Sequence, residues 1–182
     1  MRKNAIIKEI FSYIKIIFFT WLSVYITVHF LFRPVIVEGR SMFPTLHNND
    51  VGVSNIIGFK LNGVKRFDIV VLDIAENSDL IVKRVIGLPG EEVEYRNDKL
   101  YINGEYLPEN FLTTEYLSEY LVENPLFTPD FLVILAADEY YCLGDNRPRS
   151  MDSRFFGPIK YEQIVSKSVF ILYPFTNFLK GN

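Results

Sequence analysis

Glu92-Val93-Glu94-Tyr95-Arg96-Asn97-Asp98-Lys99-Leu100-Tyr101-Ile102-Asn103-Gly104 is the stretch that decides the fold class. Glu92–Tyr95 and Lys99–Ile102 alternate in character, the period of a strand with one buried face. Asn97-Asp98 between them suits a tight turn. Asn103-Gly104 follows at once and is the strongest short hairpin signal, because both of its residues tolerate positive φ. Outward from this hairpin, Val35–Val37, Asp68–Asp73 and Leu80–Ile86 read as short strands rich in β-branched residues. Glu139–Leu143 and Ile164–Leu172 complete the set. Residues 106–137 stand apart: Pro108, Pro125 and Pro129 bracket a helical piece around Phe111–Val122. They are read as a variable insertion between two parts of one domain. The expected fold class is mainly β, a β-rich domain over residues 34–182.

The N-terminal part obeys different rules. Residues 16–32, IIFFTWLSVYITVHFLF, are seventeen residues without an acid, Lys or Arg. That lies at the short end of what crosses a hydrocarbon core. Bulky apolar residues on all faces disfavour a helix of a soluble core, which keeps a polar stripe. A cleaved leader is disfavoured by the long apolar run and by the lack of a small-x-small site after it. Trp21, Tyr25 and His29 share one stripe at spacing four, suited to headgroups or to a partner helix. A single transmembrane helix is therefore expected over 16–32, behind a basic tail over 1–15. No second span is expected, since Val169–Phe175 is too short and contains Pro174.

Charge sets direction and excludes a class of function. Residues 1–34 carry five Lys/Arg against one acid, and the remainder fourteen against twenty-one. Basic residues concentrated before the span predict a cytoplasmic N-terminus and an extracytoplasmic body. An acidic body argues against nucleic acid, whose phosphates need a basic patch. The lone cysteine, Cys142, allows no internal disulfide and reads as a buried core residue. With two histidines, His29 and His47, no metal site or other cofactor is expected.

Three segments carry chemistry. In Gly39-Arg40-Ser41-Met42-Phe43-Pro44-Thr45-Leu46, a serine between flexible residues and a proline turn holds its hydroxyl out of regular structure, although serines before proline are also ordinary turn residues. In Ile81-Val82-Lys83-Arg84-Val85-Ile86-Gly87-Leu88-Pro89-Gly90-Glu91, alternation puts Lys83 on the face of Ile81 and Val85. On a core face its ammonium is desolvated and its pKa falls, leaving an amine able to act as a base for serine. On an open edge the same Lys-Arg pair would only guard the sheet. The third segment, Leu143 to Gly157 (LGDNRPRSMDSRFFG), packs two acids, three arginines and two serines into one Gly- and Pro-punctuated loop. Asp152 and Arg154 are spaced for a local ion pair, and Ser150 for a hydrogen bond to an amine.

SMFPTL, KRVIGLPGE and GDNRPRSMDSR, in this order behind one N-terminal anchor, closely resemble the boxes of bacterial type I signal peptidases, and the resemblance covers nearly the whole chain. It implies a membrane-bound serine endopeptidase that removes signal peptides from secreted preproteins after small residues, through an acyl-enzyme. It further implies Ser41 as nucleophile, Lys83 as general base, and Ser150 as the serine that hydrogen-bonds and orients the lysine. Arg84, Asp145, Asp152 and Arg154 match positions that brace the site. Some members carry a serine two residues before the nucleophile to help bind the oxyanion. Gly39 stands there in this chain, leaving the Ser41 backbone N–H and a second, unassigned donor. Lysine rather than histidine as base, with a single span and a short body, resembles the Gram-positive branch. The expected partners are secretory preproteins, the lipid bilayer and the export machinery. The rival readings are a non-catalytic anchored module that binds preproteins, and a self-cleaving Ser/Lys regulator, which would need a DNA-binding head where this chain has its apolar span. His47 is the rival base.

Overall fold

A computed structural model describes residues 2–74, 80–123 and 126–177. Pro125, read above as a bracket of the helical piece, lies outside the described residues. The chain opens with helix α1, Arg2–Ile26, which continues as a π-helical turn, Thr27–Leu31. Side chains from Ile6 onward are almost all exposed along it, and Ile6–Leu31 is long and apolar enough to cross a membrane. Trp21 stacks on Tyr25 and Tyr25 on His29, with ring centroids 5.6 and 4.3 Å apart. The stripe at spacing four is thus a stacked aromatic ladder.

Phe32 turns directly into extended backbone (φ −134, ψ 144), starting strand β1, Phe32–Ile36. The body then builds two antiparallel sheets. The larger one orders its strands β1, β2 (Val51–Asn55), β11 (Ile164–Tyr173), β3 (Ile69–Asp73), β4 (Leu80–Gly87), β9 (Glu139–Leu143) and β10 (Ile159–Lys160). The smaller one orders β7 (Glu105–Leu107), β6 (Lys99–Ile102), β5 (Glu92–Arg96) and β8 (Phe131–Ile134). Three short helices decorate them: α2 (Ile56–Asn62), α3 (Thr114–Leu121) and α4 (Ser153–Phe156).

The two turns that announced the hairpins form as their chemistry requires. Asn97 and Asp98 have φ of 51° and 58°, and Asn103 and Gly104 have 52° and 81°. Both turns therefore have two left-handed central residues, whose twist matches that of the paired strands. Asp98 also accepts from the backbone N–H of Phe127 and Thr128, which ties the turn to the segment leading into β8. Among the described residues, the region 106–137 is helical only over α3. Its last part supplies β8, which pairs with β5 in register Val93 to Val133, so this stretch completes the small sheet.

Three apolar clusters fill the body. Val35, Val37, Met42, Leu46, Ile69 and Val71 join the first strands to the loop after them. Ile86, Val93, Tyr95, Leu100 and Leu143 join the two sheets. Val70, Leu72, Val85, Cys142 and Ile164 lie under α2 and α4. Met42 and Leu46 are fully buried, at 1% and 0% exposure. Each contributes on the order of 1.5–3 kcal/mol, so the loop that carries Ser41 is pinned to the core on both sides of its proline.

Candidate active site

Ser41 sits at the start of a turn after β1. Phe43 donates from its backbone N–H to the Arg40 carbonyl (3.3 Å) and Leu46 to the Met42 carbonyl (2.9 Å). Gly39, two residues earlier, has φ +85°, which a side chain would strain, and its N–H donates to Asn48 Oδ1 at 2.7 Å. The Ser41 hydroxyl is partly accessible, while its neighbour Met42 points into the core.

Lys83 comes from the middle of β4. It pairs with Val70 of β3, a member of the same apolar cluster as Val85 and Cys142. The lysine is 4% exposed, and Nζ donates to Ser41 Oγ at 2.8 Å and to the Val82 carbonyl at 3.1 Å. Burial lowers its pKa from 10.5 to about 8, with Asp152, Cys142 and Asp145 pulling the other way. The pair contains the parts of a Ser/Lys catalytic dyad: a nucleophile with some solvent access, and a buried amine near neutrality within hydrogen-bond reach.

The loop after β9 brackets the pair. Asn146 donates its backbone N–H to the Ser41 carbonyl (2.9 Å) and its side-chain amide to the Arg40 carbonyl (3.0 Å). Gly144 lies so close that an added Cβ would collide with Ser150 Oγ and press on the Ser41 carbonyl. Ser150 is buried beside the dyad, but its hydroxyl has no hydrogen-bond partner, so the bond to Lys83 implied by the resemblance is not made in this arrangement.

The four bracing residues fall into two buried ion pairs. Arg84 holds Asp145 with two bonds, Nε to Oδ1 at 2.8 Å and Nη2 to Oδ2 at 2.6 Å. The same guanidinium donates to the Phe67 carbonyl and lies 4.0 Å above the Phe111 ring, while Thr45 donates to Asp145. Asp145 thereby joins β4 to the turn of Ser41. Arg154 likewise forks onto Asp152, with both bonds at 2.8 Å. Asp152 also accepts from the Gly144 N–H (3.0 Å) and caps α4, which sets the loop around Ser150.

Sequence reasoning missed one network. Arg147, 1% exposed, donates to the Tyr95 hydroxyl (2.6 Å), the Thr128 hydroxyl (3.2 Å) and the Gly144 carbonyl (3.0 Å), and forms an ion pair with Glu109. Tyr95 in turn donates to Glu109 at 2.6 Å. This network couples the catalytic loop to the small sheet and to residues 109–128. Its only sequence signal was an arginine within a dense loop.

Two further residues singled out in the sequence have plain surroundings. Cys142 is wholly buried and burial pushes its thiol up, as for an inert core residue. The His47 ring meets Phe43 edge-on, and its Nδ1 faces Asn177 (3.3 Å) and Asp50 (3.9 Å), while the Ser41 hydroxyl pairs with Lys83. No group of His, Cys, Asp or Glu able to hold a metal occurs among the described residues.

Nearly the whole chain resembles proteins of known function. The family model described as signal peptidase, peptidase S26, matches residues 10–173. Signal peptidase IB of Staphylococcus aureus (strain COL) is 36% identical over 182 residues, covering 94% of this chain and 93% of the relative. Signal peptidase I of Bacillus caldolyticus is 38% identical over 156 residues, covering 82% of this chain and 84% of the relative. A crystal structure of a signal peptidase I from Enterococcus faecalis V583 superposes with a TM-score of 0.53 at 40% identity, covering 57% of this chain and 95% of that one. The β-rich body behind one apolar N-terminal helix, and matches that run nearly end to end, place the chain in the signal peptidase family, peptidase S26.

Proposed function

We propose that Ser41 is the nucleophile and Lys83 the general base of this chain. The chain is a serine endopeptidase that removes signal peptides from preproteins. One observation carries the residue assignment: a buried lysine amine 2.8 Å from a serine hydroxyl, with its pKa lowered toward neutrality. Neutral Lys83 accepts the Ser41 proton as Oγ bonds to the peptide carbonyl carbon. The resulting ammonium returns that proton to the departing amine, so the mature protein leaves and the signal peptide stays as an ester on Ser41. Lys83 then deprotonates a water that attacks the ester, and the proton passes back to Ser41 Oγ. The Ser41 backbone N–H serves the oxyanion. Arg84, Asp145, Asp152 and Arg154 hold the two strands and the loop in place. Ser150, buried beside the dyad with an unpaired hydroxyl, is placed to orient the lysine once substrate is bound.

The substrate path follows from unpaired backbone. A cleft of about 630 Å³ runs past Ser41 and Lys83 between Ile36, Met42, Ile81 and Val82. β1 is an edge strand, and β4 meets β9 only from Arg84 onward. An extended signal-peptide segment can add its own main-chain bonds to these edges. The apolar walls suit small side chains before the cut.

The remaining assignments concern place. The N-terminal helix anchors the enzyme in the membrane. Its preceding basic residues support a cytoplasmic N-terminus and an extracytoplasmic body. The body then rests at the bilayer surface, close to where the export machinery delivers preproteins. Tyr173 and Phe175 are exposed rather than packed in the core and suit contact with lipid. Relatives in Staphylococcus, Bacillus and Enterococcus support a Gram-positive source.

The test is cleavage of a preprotein in liposomes by wild type and Ser41→Ala, with the cut mapped by mass spectrometry. The expected result is a cut after a small-x-small site that the variant does not make. Cleavage by Ser41→Ala would refute the nucleophile assignment.

A further inference from the structure

A second cleft, of about 600 Å³, opens on the far side of Ser41. It is lined by Phe43, Tyr116 and Tyr120 together with three charged residues, Arg40, Arg149 and Glu119. Arg40 and Arg149 also line the cleft that holds Ser41 and Lys83, so the two clefts adjoin at these residues, one of them next to Ser41 in the chain. We propose that this second cleft receives the first few residues of the mature protein, beyond the cut, and selects for an acidic side chain among them. The inference rests on the signal-peptidase reading and deepens it.

The cleft bordered by β1 and β4 offers free strand edges and apolar walls, and β1 rises directly from the membrane helix. A signal peptide held in the same bilayer reaches Ser41 along that side. An extended chain does not double back within a few residues, so the part beyond the cut crosses Ser41 and enters the other cleft.

Charge then sets preference. Arg40 and Arg149 are both exposed, and neither forms an ion pair among the described residues. Two guanidiniums without ion pairs outnumber the one carboxylate of the lining, Glu119, so the cleft favours a carboxylate and disfavours an amine. The walls are fixed well enough to discriminate. Tyr116 meets both Phe43 and Phe127 edge-on, with centroids 5.4 and 5.6 Å apart, and α3 is capped by Thr113. The region 106–137 thereby acquires a role in recognition, since α3 within it forms one wall of the mature-side cleft.

The experiment uses the full chain in liposomes and one preprotein whose signal peptide is constant. Asp, Ala or Lys is placed at the second and third positions after the cut, and kcat/KM is measured for wild type, Arg149→Glu and Tyr116→Ala. Wild type is expected to favour Asp over Lys by about fivefold, the size of an exposed ion-pair preference. Arg149→Glu should flatten or invert the ratio while still cutting the alanine substrate, and Tyr116→Ala should weaken discrimination. A wild type that cuts all three alike overturns this proposal alone, and does so even if Arg149→Glu fails to fold. The same Asp preference in wild type and in a folded Arg149→Glu variant also overturns it. A wild type that cuts no preprotein overturns both this inference and the reading beneath it.

Discussion

Val70 lies between two buried lysines, and the regions around them differ in one instructive way. Lys83 pairs with it from β4, and Lys167 from β11. Both are nearly hidden, at 4% and 7% exposure. Lys167 meets the carboxylate of Asp68 at 3.1 Å, so it cross-links β11 to the start of β3. Lys83 forms no ion pair among the described residues and meets instead the hydroxyl of Ser41. The same residue type, on either side of β3, is a brace in one place and the proposed general base in the other. What its head group meets decides the difference, since burial alone does not separate them.

That contrast breaks most sharply by substitution. Lys83→Met is expected to lower cleavage by about 10⁴-fold or more, as for loss of one member of a catalytic unit, while the protein stays folded. Lys167→Met should leave cleavage per folded molecule within about twofold, because neither Lys167 nor Asp68 contacts the dyad among the described residues. Quantitative preprotein cleavage on both variants, normalised by circular dichroism, checks the pair. Equal losses in the two would erase the distinction.

The pH profile sharpens it. As the proposed base Lys83 must be neutral to work, and burial lowers its pKa to about 8. Below that value kcat/KM should rise about tenfold per pH unit, and above it should level off. The same depression means that the folded state binds fewer protons than the unfolded state between about pH 8 and 10.5, so the contribution of Lys83 to stability grows with pH across that window. Initial rates between pH 6 and 10 decide: a flat profile would exclude a titrating Lys83.

The smallest expected effect lies on the structural side. Lys167→Met leaves the Asp68 carboxylate, 21% exposed, without its ammonium partner. The cost should be about 1–3 kcal/mol, read as a fall of several degrees in Tm. An unchanged Tm would show that the Lys167–Asp68 pair contributes nothing net.

The sequence revealed what is local. Asn97-Asp98 and Asn103-Gly104 specify left-handed turns by their own chemistry, and the strands beside them followed. The apolar N-terminal run was equally plain. β2, Val51–Asn55, was missed because Gly52, Ser54 and Asn55 dilute its β signal, and two-residue β10 has almost none. β8 lay hidden because the prolines around it read as punctuation of an insertion. The union of Ser41 and Lys83, forty-two positions apart, came from motif order rather than from spacing. Arg147, Tyr95 and Glu109 meet only through the packing of two sheets, which no local pattern announces. Ser150 was named from resemblance, and in the structure it keeps its place near the dyad while its hydroxyl is unpaired.

The passage from the helical turn ending at Leu31 to the strand beginning at Phe32 has no intervening loop, and α2 packs against that turn. Ser41 comes nine positions after Phe32, a stretch that at full extension spans at most roughly 30 Å. With the helix embedded, a joint without a loop would work as a ruler, keeping the proposed nucleophile, Ser41, within a fixed reach of the lipid. A preprotein is then measured as well as recognised. One whose small-x-small site lies too near its apolar core stays below the blade, and one whose site lies too far out must buckle to be cut.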